Sequence, residues 1–292
     1  MDQFIQQMVN GVSLGSIYAL IALGYTMVYG IIKLINFAHG DVYMVGAYIG
    51  FAATTYAKLS FLPALIISMF TSALLGMFIE KVAYKPLRNS SKIAALITAI
   101  GVSLLLENLM TYFAGAEIRS FPKLMSSTQI NMGNIVLNMQ QVYIVITAIF
   151  LMVLLQFIVQ KTKVGKAMRA VSADKDAAQL MGIKIDSTIS FTFAIGSSLA
   201  GAAGVLVGVY YNSIDPLMGM LPGLKAFVAA VFGGIGSIPG AMIGGLSIGI
   251  LETLVSGYGN SMYRDAAVFA FLIVILIIKP SGLLGKNTKE KV

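Results

Sequence analysis

Cysteine is absent from this chain of 292 residues, and histidine occurs once, at His39. Disulfides, thiolate metal sites, redox dithiols and a histidine-rich zinc site are thereby excluded. Charge is scarce too: 11% of residues are Asp, Glu, Lys or Arg, against roughly 25% in a soluble domain. There is no G-x-x-x-x-G-K-[ST] phosphate loop, because the Gly-Lys pairs at 165–166 and 285–286 lack the upstream glycine. ATP hydrolysis by that route is excluded. No serine elbow lies beside His39, so no nucleophile–histidine constellation forms. No linker, low-complexity tract or soluble module interrupts the chain, which reads as one domain, 1–292. The opening MDQFIQQ has no basic n-region, and the first apolar run reads as a retained span rather than a signal peptide.

What fills the chain is apolar: 58% of residues are hydrophobic, with a mean hydropathy of +0.86. The fold class is all-α, a polytopic integral membrane protein with about eight spans plus discontinuous or re-entrant helices. Spans are expected at about 8–31, 42–56, 63–84, 93–113, 142–160, 187–211 and 263–278. A helix of about ten residues, 223–232, and another at 241–257 flank the break GGIGSIPG. Alternation around 129–139 marks a small hairpin. The net charge of +8 gathers at 81–92, 161–184 and 279–291, beside the spans. That charge is topogenic and carries no argument for nucleic acid. The positive-inside rule puts these clusters in the cytoplasm, the N-terminus outside and the C-terminus inside. Parity then makes 223–257 begin and end outside, either as a re-entrant half-helix with a return or as two short crossings.

The longest polar run, KTKVGKAMRAVSADKDAAQLMGIKID at 161–186, carries a short amphipathic helix. Asp174 is its N-cap, Ala177, Leu180 and Met181 share a face, and Gly182 stops it. Such a helix is a docking element for a soluble partner; a solvated basic loop that only sets topology is the alternative. Two intramembrane breaks stand out, NFAHGD (36–41) and GGIGSIPG (233–240). Broken backbone at membrane depth is tolerated where protein or a water-filled cavity satisfies it, and paired breaks point to a substrate path. Tight packing of glycines is the alternative. His39 reads as a hydrogen-bonded structural group before a proton carrier, and Asp41 as a cap of the span it opens. Glu107 and Glu252 are intramembrane acids and so functional suspects. Glu107 beside Asn108 has a cross-helix bond as its bland reading, and Glu252 a place near the external interface.

Three motifs, INFAHGDVYMVGAY, GKAMRAVSADKDAAQLMGI and AVFGGIGSIPGAMIGG, carry a resemblance that runs over nearly the whole chain. They resemble the inner-membrane permeases of branched-chain amino acid ABC importers, the LivH type in particular. The resemblance implies a non-catalytic permease in the bacterial plasma membrane, embedded in lipid. It also implies a second homologous permease, two ATPase subunits and an extracytoplasmic binding protein delivering leucine, isoleucine or valine. No cofactor is implied in this chain; ATP and Mg belong to the ATPases. By the same resemblance Asn36, Ala38, His39, Gly40 and Gly46, with Gly233, Gly234, Gly236 and Gly240, shape the path. Arg169, Asp174, Ala177, Ala178, Leu180 and Gly182 form the ATPase-coupling helix. Permeases for urea or short amides are the alternative within the family. Outside it stand a stand-alone proton-coupled secondary transporter using His39, Glu107 or Glu252, and a passive pore.

Overall fold

The computed structural model describes residues 2–88, 90–124, 129–132 and 135–285. The tip of the expected hairpin (133–134) and most of the basic tail (286–292) lie outside the described residues, as does 125–128. Among the described residues, seven helices are long and apolar enough to cross a membrane. They are α1 (Asp2–Ile32), α3 (Phe61–Ile79, running on to Leu87), α4 (Lys92–Ala114), α5 (Met139–Lys161), α8 (Ile185–Tyr211), α10 (Ile238–Tyr258) and α11 (Arg264–Ile278, entered through a short 3-10 turn). Two apolar helices are shorter: α2 (His39–Thr55) with 17 residues and α9 (Met220–Gly233) with 14. The expected eight spans thus resolve into seven long helices and two short ones. α2 begins at the first break, and α9 ends at the second.

Two ends of the molecule can be told apart by contacts. At one end, the hairpin of β2 (Gln129–Met132) and β3 (Ile135–Asn138) receives Gln6 of α1, whose Nε2 donates to the Val136 carbonyl at 3.1 Å. Gln3 donates to the Gly257 carbonyl there at 3.0 Å. The strands β1 (Arg119–Ser120) and β4 (Ser213–Ile214) pair antiparallel and join the chain after α4 to the chain after α8. At the other end lie two helices of the polar run, α6 (Lys163–Ala173) and α7 (Lys175–Leu180). Ser172 donates to the Gly30 carbonyl at 2.6 Å, and Leu283 N to the Phe232 carbonyl at 2.8 Å. The nine apolar helices among the described residues therefore alternate in direction between a hairpin end and the end that holds α6 and α7, termed the coupling end after the role expected of α7. The 223–257 region proves to be a short descent, α9, and a full return, α10. Pro222 sits in the first turn of α9, where its missing N–H costs nothing, so that helix is longer than the expected ten residues.

The core is built from α1 and α8, each with 89% of its apolar window buried. Small residues let backbones approach where these helices cross their neighbours. On α1, a Cβ at Gly15 would come within 2.7 Å of Leu246 Cα of α10. Ser68 of α3 donates to the Gly46 carbonyl at 2.7 Å and lies 3.0 Å from the Gly201 carbonyl, tying α2, α3 and α8 at one point. At the coupling end α3 widens into a π turn, Glu80–Tyr84. There the fully buried Glu80 takes a hydrogen bond from Ser190 at 2.6 Å and a close ion pair from Arg88. Arg88 also pairs with Asp186 at the start of α8, and Lys85 reaches the same carboxylate at 2.6 Å.

Candidate functional site

The first break works as a junction. α2 starts at His39, inside the protein, with Ala38 as its N-cap and no side-chain cap. Asp41 therefore lies in the first turn and does not cap the helix. His39 and Asn36 are both buried, and each has a structural job. Asn36 Oδ1 accepts the Tyr84 hydroxyl at 2.8 Å, anchoring the break to the end of α3. The imidazole of His39 fills the space opposite Gly24 of α1, with Tyr25 edge-on at 4.9 Å. Gly40 packs on the start of α9: a Cβ there would stand 2.5 Å from the Gly219 carbonyl oxygen and 3.1 Å from Gly223 Cα. The beginnings of α2 and α9 thus meet inside the bundle, with the positive ends of both helix dipoles close together.

A cavity of about 240 Å³ opens at this meeting point. Its polar lining is Asp41, Ser103, Glu107 and Tyr25, and its apolar walls include Phe37, Leu104 and Met220. Asp41 is 2% exposed. Its Oδ2 accepts a close hydrogen bond from the Ser103 hydroxyl of α4, and its Oδ1 has no hydrogen-bond partner among the described residues. Glu107 lies one turn along α4 from Ser103, half-buried. Asn108, its neighbour, bonds the Leu104 carbonyl of its own helix at 2.7 Å and does not bridge to another helix.

The second break lies elsewhere. Gly233 and Gly240 face each other across the α9–α10 bend, and Gly234 and Gly236 take φ of +99° and +92°. Gly234 abuts the chain at Leu284–Gly285, and Gly236 stands against Gly30 at the coupling end. Of the nine residues expected along a path, Gly40 borders the cavity, through Gly219 and Gly223. Gly46 packs α2 on α8, Ala38 is fully buried in the junction, and the 233–240 glycines form a turn at the coupling end. The two breaks are not brought together. The segment that meets the first is 219–223.

The polar run holds two helices. α6 is the one hydropathy did not reveal; its Met168 and Val171 are buried, and Gly165 packs on the end of α5. Arg169 of α6 turns back to Gln160 of α5 at 2.7 Å. Asp174 caps α7 by accepting from Ala177 N at 2.9 Å, and Gly182 closes it at φ +81°. Leu180 and Met181 stand out at the tip, 88% and 83% exposed, and Ala177 is exposed with them. Ala178 faces inward at 4% exposure, so the expected docking surface excludes it. A basin of about 790 Å³ lies between α7 and the end of α3, its rim carrying Lys85, Arg88, Lys175 and Lys184.

Residues 7–278 match the family model described as branched-chain amino acid transport system / permease component. This chain belongs to that permease family. Relatives include the high-affinity branched-chain amino acid transport system permease protein LivH of Escherichia coli, 45% identical over 99% of this chain and 98% of its own. The permease protein BraD of Pseudomonas aeruginosa is 41% identical over 99% and 98%. A probable LivH of Methanocaldococcus jannaschii is 30% identical over 94% and 90%. The permease is a multi-pass membrane protein and one component of a larger transport system.

One ionic cluster had no sequence signal as a unit. Lys225, 3% exposed in α9, donates a hydrogen bond to Glu252 of α10 at 2.8 Å and forms an ion pair with Asp265 of α11 at 2.6 Å. Tyr18 of α1 donates to the other Glu252 oxygen at 2.8 Å, and Arg264 approaches at 3.7 Å. Glu252 is thus a charge partner within the bundle. Two cations and two anions leave the cluster neutral, as a low-dielectric setting requires.

Proposed function

We propose that this permease forms the translocation path of an ATP-driven importer for branched-chain amino acids. In this reading it sits in the bacterial cytoplasmic membrane with its hairpin end and N-terminus external and its coupling end and C-terminus cytoplasmic. It pairs with a second homologous permease, two ATPase subunits seat at the coupling end, and an external binding protein delivers substrate. The chain itself is non-catalytic and holds no cofactor; ATP and Mg are handled by the ATPases. The observation that carries the reading is the tip of α7. A capped, buttressed helix holds Leu180 and Met181 out in water at the end rich in lysine. Exposed apolar residues on a rigid support are a protein-docking device, and closing ATPases would push on α7 and, through α6, on α1 and α5.

The experiment is purification from the native host in mild detergent, followed by reconstitution in liposomes. An ATPase pair and a second permease should co-purify, and leucine uptake should require ATP and the binding protein. Uptake by this chain alone, or uptake driven by a pH gradient, would overturn the reading in favour of a secondary transporter.

A further inference from the structure

The cavity at the α2–α9 junction holds two carboxylates, Asp41 and Glu107, and no Lys, Arg or His is among its described lining residues. The Lys225–Glu252 cluster shows how this protein treats buried carboxylates elsewhere: each finds a cation. Here none is supplied by the described lining residues. Asp41 Oδ1 is buried, unpartnered and turned toward Gly219, whose absent side chain keeps the space open. A Cβ at Gly219 would stand 2.7 Å from that oxygen. Burying an acceptor of this strength without a donor is costly, so the site is built for a donor that arrives from outside. Ser103 holds the other Asp41 oxygen and fixes the carboxylate in place.

The rest of the lining says what the donor is attached to. Phe37, Ile100, Leu104, Met220 and Leu224 form an apolar wall facing the carboxylates. A bare metal ion would meet too few ligands, since no group of three or more His, Cys, Asp or Glu occurs among the described residues. A cation carrying several N–H donors and an apolar body satisfies both halves of the cavity. The volume is room for about eight water molecules, enough for a small organic molecule. The positive first turn of α9, at Gly219–Met220, is at hand for a ligand carboxylate.

We propose that Asp41 and Glu107 form a subsite for the α-ammonium group of an apolar amino acid, with Phe37, Leu104 and Met220 receiving its side chain. The subsite rests on the importer reading above and adds a place on the path where substrate is read by charge. Two of the lining residues, Leu104 of α4 and Met220 of α9, are exposed, so the cavity is not sealed by this chain.

The test uses isopentylammonium, an ammonium with leucine's apolar tail, against 4-methylpentanoate, which has the tail and no ammonium, and against sodium ion. In the reconstituted complex, isopentylammonium should inhibit leucine uptake, with 4-methylpentanoate and sodium inert. Asp41→Asn should weaken that inhibition at least tenfold. Glu107→Gln, on the half-exposed side of α4, carries the same expectation and serves if Asp41→Asn does not insert. A thermal-shift titration of the purified permease with isopentylammonium reads the subsite without transport. A shift in the native chain that vanishes in both variants supports the subsite even where ATP-driven uptake fails. Equal inhibition of native and variant proteins, or a response to sodium alone, overturns the ammonium subsite and leaves the importer reading standing.

Discussion

Replacing Lys225 with methionine should destabilise the protein by about 3 kcal/mol, and replacing its partner as well should restore most of that loss. Lys225 and Glu252 are each 3% exposed, and the lysine also holds Asp265 at 2.6 Å. Removing one partner of a buried pair costs about 3–5 kcal/mol because the other charge is stranded. Here the figure falls at the low end. Tyr18 keeps its 2.8 Å hydrogen bond to Glu252, and Arg264 stays 3.7 Å away. A loss of about 3 kcal/mol is roughly a hundredfold in the folding equilibrium. In Lys225→Met with Glu252→Gln, no buried charge is left without a partner, and stability should return to within about 1 kcal/mol of the native protein. The chain has no tryptophan, so unfolding is followed by far-UV circular dichroism during titration with a denaturing detergent. Two results would refute the reasoning. One is a single variant that unfolds at the native midpoint. The other is a double variant whose loss is the sum of the two singles, since additive effects mean uncoupled residues.

Two further predictions concern the coupling end. Leu180→Glu combined with Met181→Glu should leave the permease folded, because both side chains are in water, yet abolish co-purification of the ATPases; Ala178→Glu should instead lower the yield of folded protein, since that residue is buried. Detergent extraction followed by size-exclusion chromatography separates these outcomes. Gly182→Ala and Gly234→Ala both place a Cβ on positive-φ backbone, a cost of about 1–2 kcal/mol in the left-handed helical region, but Gly234, at φ +99° and ψ +99°, lies outside that region. Nothing lies within 4 Å of a Cβ at Gly182, whereas one at Gly234 would also meet Leu284–Gly285 backbone. Thermal denaturation should show Gly234→Ala clearly the worse of the two.

Hydropathy located the long helices because a membrane span must be continuously apolar, and the polar break at 36–41 marked where α2 begins inside the bundle. The α7 cap and stop were readable for a local reason: Asp174 and Gly182 act on their own helix. α6 was a local miss: Val164, Met168 and Val171 recur at helical spacing, and Gly165, Met168 and Val171 are its buried residues, but lysines and Arg169 surround them. Two features escaped for non-local reasons. Lys225 lay hidden in MLPGLKAFVAAVF, and its pairing with Glu252 depends on α9 and α10 lying antiparallel. Asp41 looked like a helix cap because chain position alone puts it beside the start of α2. Only the packing of α4 and the 219–223 segment turns it into a cavity residue. The glycines of the second break were assigned by resemblance to the path, and the bend they form at the coupling end comes from three-dimensional contacts with Gly30 and Leu284–Gly285.

The unequal burial of the helices has a consequence for how such a protein can diversify. α1 and α8 are locked into the bundle, whereas α4 has only 17% of its apolar window covered by the rest of the chain. Yet α4 contributes Ile100, Ser103, Leu104 and Glu107 to the cavity. One wall of the cavity therefore hangs on a helix only lightly constrained by its neighbours. Substitutions there alter the lining without disturbing the scaffold. Descendants of one gene can in this way trade cargo while keeping the same frame, and the mutations that do so should concentrate on a single face of α4.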